Sequence, residues 1–338
     1  MLKPYIKGAL SFVLPQARDS HSNLFSVSAE FSYSLFLRHY VLRSRFRVPE
    51  PGETVAELGP GSSLGFGIAA VIAGASCYRA YDVAARFNTG RNLKIFDELV
   101  ELFRKRAPIP HEGEFSRIFP FLDDYAFPER LTEGHGAVAL EPTRLATIRE
   151  DIAAGGKTFI RVDVGMTQTA GDETFDWIAS HSVLEHIDDL DGVHRFLSRA
   201  LRPDGVMTHL IDFSAHGLSD QWNGHWTISE LGWTILRGRR LYLINRQPLA
   251  TYLALLERYG IKVVGKHLHQ RVDGHLSDAF RPAFSGMSSV DARTYMAFLV
   301  CSRDANGPPS ADRSPLCDRW EGHRRGAKTP MAELSERR

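Results

Sequence analysis

The chain has 338 residues, of which 43% are hydrophobic and 24% are charged, so it can bury a full core in one large domain or two. Its 41 Lys and Arg residues nearly balance its 40 Asp and Glu residues. The net charge of +1 gives no electrostatic reason to expect nucleic acid or an anionic membrane as partner, and it favours a small molecule. No apolar run reaches the roughly 18 residues of a membrane span.

The three cysteines, Cys77, Cys301 and Cys317, lie far apart in the sequence. This spacing excludes a zinc ribbon and argues against a disulfide framework. It therefore favours a reducing, cytoplasmic location.

Residues 1–52 are interpreted as an N-terminal helical extension. In residues 22–46 aromatic and aliphatic side chains alternate with Arg and His, which predicts an amphipathic helix that either packs on the domain or covers a substrate. The Pro/Gly turn at residues 48–52 then leads into a first strand.

A glycine loop follows that strand. Thr54 to Leu58 is a short run with apolar positions, and Gly59-Pro60-Gly61 leads into an apolar helical stretch at residues 64–73. Glycine has no side chain, so a ligand can approach the backbone there. A nucleotide-like ligand and a plain structural turn remain alternatives at this point.

The next three predicted strands, at residues 76–83, 158–163 and 175–180, have polar residues at or just after their ends. These are Asp82, Asp163 and His181. Asp82 follows Gly61 by about 20 residues, the spacing at which a second strand places a carboxylate against a ribose, although a helix cap or turn is the alternative. Strands that alternate with helices predict a parallel sheet covered on both faces, with ligands at the carboxyl ends of its strands.

Two long passages exceed what a compact crossover needs. Residues 107–157, which include a predicted helix at 142–154, form an insertion over a binding site. Residues 213–245 follow the fifth strand, at 206–213, and carry aromatic residues, acids and histidines suited to a planar or sugar-like acceptor or to a hydrophobic lid. A turn is predicted at 202–205, before this fifth strand. The polar tail at 303–338 is expected to be disordered.

With these motifs in place, residues 53–302 resemble the class I S-adenosylmethionine-dependent methyltransferases. The motifs are Glu57-Leu58-Gly59-Pro60-Gly61, Asp82, Asp163, Phe175-Asp176-Trp177-Ile178, Val183-Leu184-Glu185-His186-Ile187 and Arg202-Pro203-Asp204-Gly205-Val206. The resemblance implies an α/β fold with a doubly wound Rossmann-like sheet. The sheet is mostly parallel with an antiparallel last strand, helices cover both faces, and the two insertions form a cap.

The resemblance also implies how S-adenosyl-L-methionine is bound. The loop from Gly59 to Gly61 would approach the methionine part, and Asp82 would accept hydrogen bonds from both ribose hydroxyls. Asp163 would bind the adenine amino group with Val164 beside the ring. The remaining predicted cofactor residues are Glu57, Pro60, Val83, Ser180 and His181, of which Ser180 and His181 line the methyl-donor side. Ser63 stands where many members have a third glycine, so the chain departs from the family there.

An oxidoreductase that binds NAD(P) is less favoured, because Leu64 occupies the sixth position of the Gly-x-Gly-x-x-Gly pattern. A noncatalytic binding protein that retains the fold is the other alternative. For an enzyme, we expect methyl transfer to a small-molecule or glycan-like acceptor at a hydroxyl.

Methyl transfer is an in-line displacement, and a general base helps when the acceptor is a hydroxyl. The candidate catalytic residues are His181, Asp212 and His216. No metal site is predicted, because the His and Asp residues lack ligand spacing in the sequence. His186 is interpreted as structural, and the oligomeric state is left open.

Overall fold

The computed structural model describes residues 2–14, 28–83, 87–115, 118–131, 140–164 and 173–303. The strands are β1 (Thr54–Leu58), β2 (Cys77–Asp82), β3 (Ile160–Val164), β4 (Phe175–His181), β5 (Leu201–Asp212), β6 (Ile261–Gln270) and β7 (Thr294–Arg303). The α-helices are α1 (Leu2–Leu10), α2 (Ala29–Ser44), α3 (Gly65–Ile72), α4 (Thr89–Arg104), α5 (Pro142–Ala153), α6 (Leu190–Ala200), α7 (Glu230–Arg237), α8 (Leu249–Arg258) and α9 (Ser289–Arg293).

The strands form one sheet in the order β3-β2-β1-β4-β5-β7-β6. Strands β1 to β5 are parallel to one another, whereas β7 is antiparallel to both β5 and β6. The strand order reverses at β1, which pairs with β2 on one side and β4 on the other. This topology confirms the predicted fold class and places the ligand crevice at the carboxyl ends of β1 and β4.

Helices cover both faces of the sheet. One hydrophobic cluster contains buried residues of α2, α3, α4 and α5, and the other contains buried residues of α6 and α8. The helices therefore bury opposite faces of the same sheet, as a parallel sheet requires. No helix in the described ranges is both long enough and apolar enough to cross a membrane.

Helix α2 is buried nearly all round, so the amphipathic pattern predicted for residues 22–46 is wrong for the part described. Arg38 and His39 are fully buried and Arg43 is 2% exposed. Polar partners make this possible: Arg38 donates to Pro110 O at 2.7 Å, and Arg43 pairs with Glu53 at 2.5 Å. The first insertion covers the side of the helix that would otherwise face water, and this could not be inferred from the pattern.

The second insertion forms a small apolar cluster of its own with α1. Its buried members are Leu218, Ile228, Trp233, Leu236, Leu243 and Ile244, and Tyr5 of α1 packs against them. A Cβ at Gly8 would lie 2.2 Å from the carbonyl oxygens of Ile235 and Leu236, so glycine lets α1 lie directly on α7.

The turn predicted at residues 202–205 lies within β5 instead. Phe175 pairs with Leu201 and Trp177 with Val206, so these four residues form a large bulge opposite one residue of β4. Arg202 donates to the Asp176 carboxylate at 2.5 Å and holds the bulge against β4. Apart from Arg303 in β7, the predicted disordered tail lies outside the described residues.

Candidate functional site

The carboxyl ends of the parallel strands bring most of the predicted site residues to one edge of the sheet. Leu58 pairs with Ser180, and Asp82 pairs with Val164. Gly59 and Asp82 therefore lie on one side of the point where the strand order reverses, and His181 lies on the other side. The side chain of Val164 lies outside the described part of the structure.

The loop after β1 needs glycine for two separate reasons. Gly59 has φ +62° and Gly61 has φ +70°, in the left-handed region that other residues adopt at a cost. A Cβ at Gly59 would also lie 2.6 Å from Cγ2 of Val183. Gly59 N donates to Tyr81 O at 2.8 Å, which fixes the loop to the end of β2. This bare backbone turn fits the predicted approach of the cofactor.

Asp82 and Asp163 lie on adjacent strands in different surroundings. Asp82 is 7% exposed at the end of β2, and Val83 beside it is 52% exposed. Asp163 Oδ2 lies 2.7 Å from Nε of Arg79, a side chain that also pairs with Glu173. An adenine amino group would therefore share this carboxylate with a buried cation.

Glu57 and Ser180, which the resemblance places near the cofactor, have side-chain partners within the fold. The Tyr78 hydroxyl donates to Glu57, and Ser180 Oγ lies 2.8 Å from His209 Nδ1. Burial raises the pKa of Glu57 to about 8, although the Tyr78 hydrogen bond acts in the opposite direction. Glu57 is therefore mostly protonated at neutral pH.

We expect Glu57→Gln to remove a pH dependence of stability. The pKa of Glu57 is about 8 in the folded chain against 4.5 in the unfolded chain, so between these pH values the folded chain holds a proton that the unfolded chain releases. Stability of the native protein should fall between these pH values by up to roughly 1.4 kcal/mol per pH unit. Glutamine mimics the neutral acid but has no proton to release, so the stability of the Glu57→Gln protein should not decrease over this pH range.

Thermal unfolding of both proteins from pH 5 to pH 8 measures the effect. Glu150→Gln, at an exposed position of α5, is the matched control and should follow the native profile. A Glu57→Gln profile parallel to the native one would contradict the prediction.

His181 is linked to a buried histidine that the sequence reasoning missed. His181 Nδ1 lies 3.3 Å from His39 Nε2, and His39 Nδ1 lies 2.8 Å from Thr208 Oγ1. Burial, followed by the nearby Arg38 charge, lowers the pKa of His181 to about 3. His181 is therefore neutral at physiological pH. No sequence signal connected His39 with it, because α2 lies 142 residues earlier.

Asp212 and His216, both predicted as catalytic, are in contact. Asp212 Oδ2 lies 3.2 Å from His216 Nε2, and Ser214 N donates to the other carboxylate oxygen at 2.7 Å. Burial acts to raise the pKa of Asp212, but His216 and the Ser214 N–H outweigh it, so the pKa is lowered. His216 has φ +47°, which turns the chain back toward β5. The structure thus joins these two candidates, while His181 has a different partner.

Two further side chains lie beside His216. Within the described ranges, Glu185, His186 and His216 form a group whose ligating atoms all lie within 4.8 Å of one another. This group was not predicted, because about 30 residues separate the Glu185-His186 pair from His216 and sequence spacing alone does not unite them.

A row of aromatic rings lies along the same edge of the sheet. It runs from Phe121 and Phe119 in the first insertion, through His269 and Tyr295, to Trp222 in the second insertion. Successive ring centroids are 5.4–5.7 Å apart. Tyr295 O accepts from Phe213 N, directly after Asp212. The row therefore passes beside the end of β5 and involves both insertions.

A cavity of about 250 Å³ lies elsewhere, at the amino ends of the strands. Phe36, Arg43, Glu53 and Trp177 line part of it. None of the predicted site residues does so, and it is not the site described above.

Residues 132–208 match the family model described as a methyltransferase domain. The match contains β3, β4 and α6, and with them Asp163 and His181. The chain therefore contains a methyltransferase domain. A methyltransferase domain favours an enzyme over the oxidoreductase and noncatalytic alternatives.

The methyltransferase is also similar to solved structures at low identity. An S-adenosylmethionine-dependent methyltransferase from Mesorhizobium loti is 16% identical, with a TM-score of 0.41, 82% of this chain covered and 98% of that one. A putative S-adenosylmethionine-dependent methyltransferase from Listeria monocytogenes is 13% identical, with a TM-score of 0.38, and the match covers 79% of this chain and 98% of that one. A putative sarcosine dimethylglycine methyltransferase from Galdieria sulphuraria is 12% identical, with a TM-score of 0.42, and the match covers 80% of this chain and 83% of that one.

These similarities carry no argument about substrate, and the assignment rests on the domain match and the strand topology. No curated protein matches the chain.

Proposed function

We propose that this methyltransferase methylates a hydroxyl of a small planar or sugar-like acceptor. The observation that carries the proposal is the aromatic row between the two insertions, since flat rings provide the apolar, stacking surface that such acceptors need. Trp222 adds a donor, because its buried Nε1 has no hydrogen-bond partner among the described residues.

The cofactor residues stay as the sequence predicted them. The Gly59 to Gly61 backbone holds the methionine part, Asp82 the ribose, and Asp163 with Val164 the adenine. Glu57, Pro60, Val83, Ser180 and His181 complete the proposed set. When bound, S-adenosylmethionine supplies an electrophilic methyl group on a sulfonium. The chain's contribution is mainly to hold the acceptor oxygen in line with that group.

Proton removal is assigned to His181, Asp212 and His216. All three lie at or just beyond the carboxyl ends of the adjacent strands β4 and β5, and the aromatic row passes beside the end of β5. The methyl group would pass to the acceptor oxygen with its bonding electron pair left on the cofactor's sulfur, and the hydroxyl proton would pass to one of these three side chains. Asp212 is ionised and in contact with His216, which suits it to take part.

We further propose a cytoplasmic location and a small-molecule partner rather than nucleic acid. Cys301 is a buried free thiol, which is consistent with a reducing compartment, and the net charge is only +1. The domain division proposed is an extension at 1–52, a methyltransferase domain at 53–302 with insertions at 107–157 and 213–245, and a tail at 303–338.

The test is methyl transfer to a panel of phenols, sugars, carboxylates and amines with two variants. Phe121 is 44% exposed, so Phe121→Ala removes an aromatic face with little loss of packing, and we expect KM for the acceptor to rise about tenfold. Asp212→Asn should lower kcat about 100-fold with unchanged cofactor affinity.

Phe12→Ala is the matched control, since Phe12 is also 44% exposed but lies just after α1. It should leave KM and kcat unchanged. Transfer confined to amines or carboxylates, or a Phe121→Ala enzyme that behaves like Phe12→Ala, would refute the proposed acceptor class.

A further inference from the structure

Glu185 is a buried carboxyl group just after the end of β4 whose side chain makes no hydrogen bond within the described residues. It is 3% exposed, and neither carboxylate oxygen has a hydrogen-bond partner among the described residues. Its backbone is firmly held, because Asn245 N donates to Glu185 O at 2.6 Å and Asn245 Nδ2 donates to Leu184 O at 2.9 Å. A buried group of this kind is costly unless something else compensates it.

Two histidines lie beside this carboxyl group. His186 follows Glu185 in the short 3₁₀ helix Leu184–His186 after β4, and His216 comes from the second insertion. Their ring centroids are 5.0 Å apart, and one ligating atom of each lies within 4.8 Å of the other two in the group. Asp212 adds a second carboxylate next to His216, with 3.2 Å between Oδ2 and Nε2.

We propose that Glu185, His186 and His216 bind a divalent transition-metal ion of the zinc type. Two imidazole nitrogens and one carboxylate oxygen form a donor set that such ions prefer over magnesium, and three protein ligands leave positions open for other groups.

The charges also balance in this arrangement. Two carboxylates, Glu185 and Asp212, face a doubly charged ion, and the buried site is then neutral overall.

The role of the ion rests on the proposed function. The group lies where β4 and β5 end, beside the aromatic row that would hold the acceptor. A zinc-type ion there favours the deprotonated form of a hydroxyl that reaches it. The proton passes to the Asp212 carboxylate, and the freed oxygen electron pair forms the new bond to the methyl carbon.

The experiment uses tag-free full-length protein stripped with a chelator and then given Zn²⁺, Co²⁺ or Mg²⁺. We expect about one Zn²⁺ or Co²⁺ per chain after dialysis, a visible Co²⁺ absorption band, and a higher melting temperature with Zn²⁺. Glu185→Gln and His216→Asn should each weaken binding by more than the roughly 100-fold that loss of an outer partner costs. Asparagine is chosen because it tolerates the left-handed backbone at residue 216.

His111→Ala removes an exposed histidine and should bind like the native protein. Metal-free Glu185→Gln should melt no lower than the metal-free native protein, which separates lost binding from lost folding. Absence of Zn²⁺ and Co²⁺ binding, equal binding by Glu185→Gln, or preference for Mg²⁺ would each overturn the metal site.

Failure of the metal site and failure of the proposed function give different results. Glu185-dependent metal binding without transfer to any hydroxyl supports the site and refutes the acceptor class. Hydroxyl methylation by chelator-treated protein that binds no metal supports the acceptor class and overturns the site.

Discussion

Gly59→Ala is expected to weaken S-adenosylmethionine binding at least tenfold and to lower stability by about 3 kcal/mol. Two costs add up at this position. Alanine at φ +62° costs roughly 1–2 kcal/mol, and its Cβ would lie 2.6 Å from Cγ2 of Val183, an overpacked contact of about 1–3 kcal/mol. The loop must move to relieve the contact, and the cofactor then loses its backbone surface. Calorimetric titration and thermal unfolding measure both effects.

Gly52→Ala separates the two costs. Gly52 also has a positive φ, +81°, but a Cβ there has nothing within 4 Å. It should therefore lose only the backbone part of the stability and none of the cofactor affinity. Val183→Ala in the Gly59→Ala background removes both Cγ atoms and should restore part of the affinity. A Gly59→Ala protein that binds like Gly52→Ala would contradict the close approach at this loop.

Asp82→Ala is expected to weaken cofactor binding by about 100-fold or more without preventing folding. The proposed role is acceptance of two ribose hydrogen bonds, and a bond to a charged group contributes about 1.5–3 kcal/mol. Asp82→Asn keeps one acceptor oxygen and should give an intermediate affinity. The measurements are calorimetric titration with S-adenosylmethionine and, independently, with S-adenosylhomocysteine.

Asp176→Ala is the matched control for Asp82. Asp176 belongs to the same sheet but lies at the amino end of β4, where its carboxylate binds Thr54 N at 2.9 Å and Arg202 at 2.5 Å. Its removal should lower stability by about 2 kcal/mol and leave cofactor affinity unchanged. Equal affinities for the Asp82 and Asp176 variants would remove Asp82 from the ribose site.

The sheet could be predicted well because strands and glycines carry local signals. Thr54 to Leu58 forms β1 as predicted, and the antiparallel pairing of β7 is present. Local signals were weaker where the fold covers polar residues. Helix α2 lies in a stretch with an amphipathic pattern, yet Arg38 and Arg43 are buried because carbonyl oxygens and Glu53 satisfy them. A turn was predicted at residues 202–205, but these residues form a bulge within β5, where Arg202 binds the Asp176 carboxylate.

The sequence alone determined the fold class of this protein. Short apolar strands, the glycines at 59 and 61 and the acids at strand ends are local features, and their order gives the chain its resemblance to the class I methyltransferases before any contact is known. Tertiary structure decided which polar groups meet. His39 joins His181 across 142 residues, and Glu185 meets His216 through an insertion. Such contacts depend on how distant segments pack, and neither hydrophobic periodicity nor residue spacing encodes that packing.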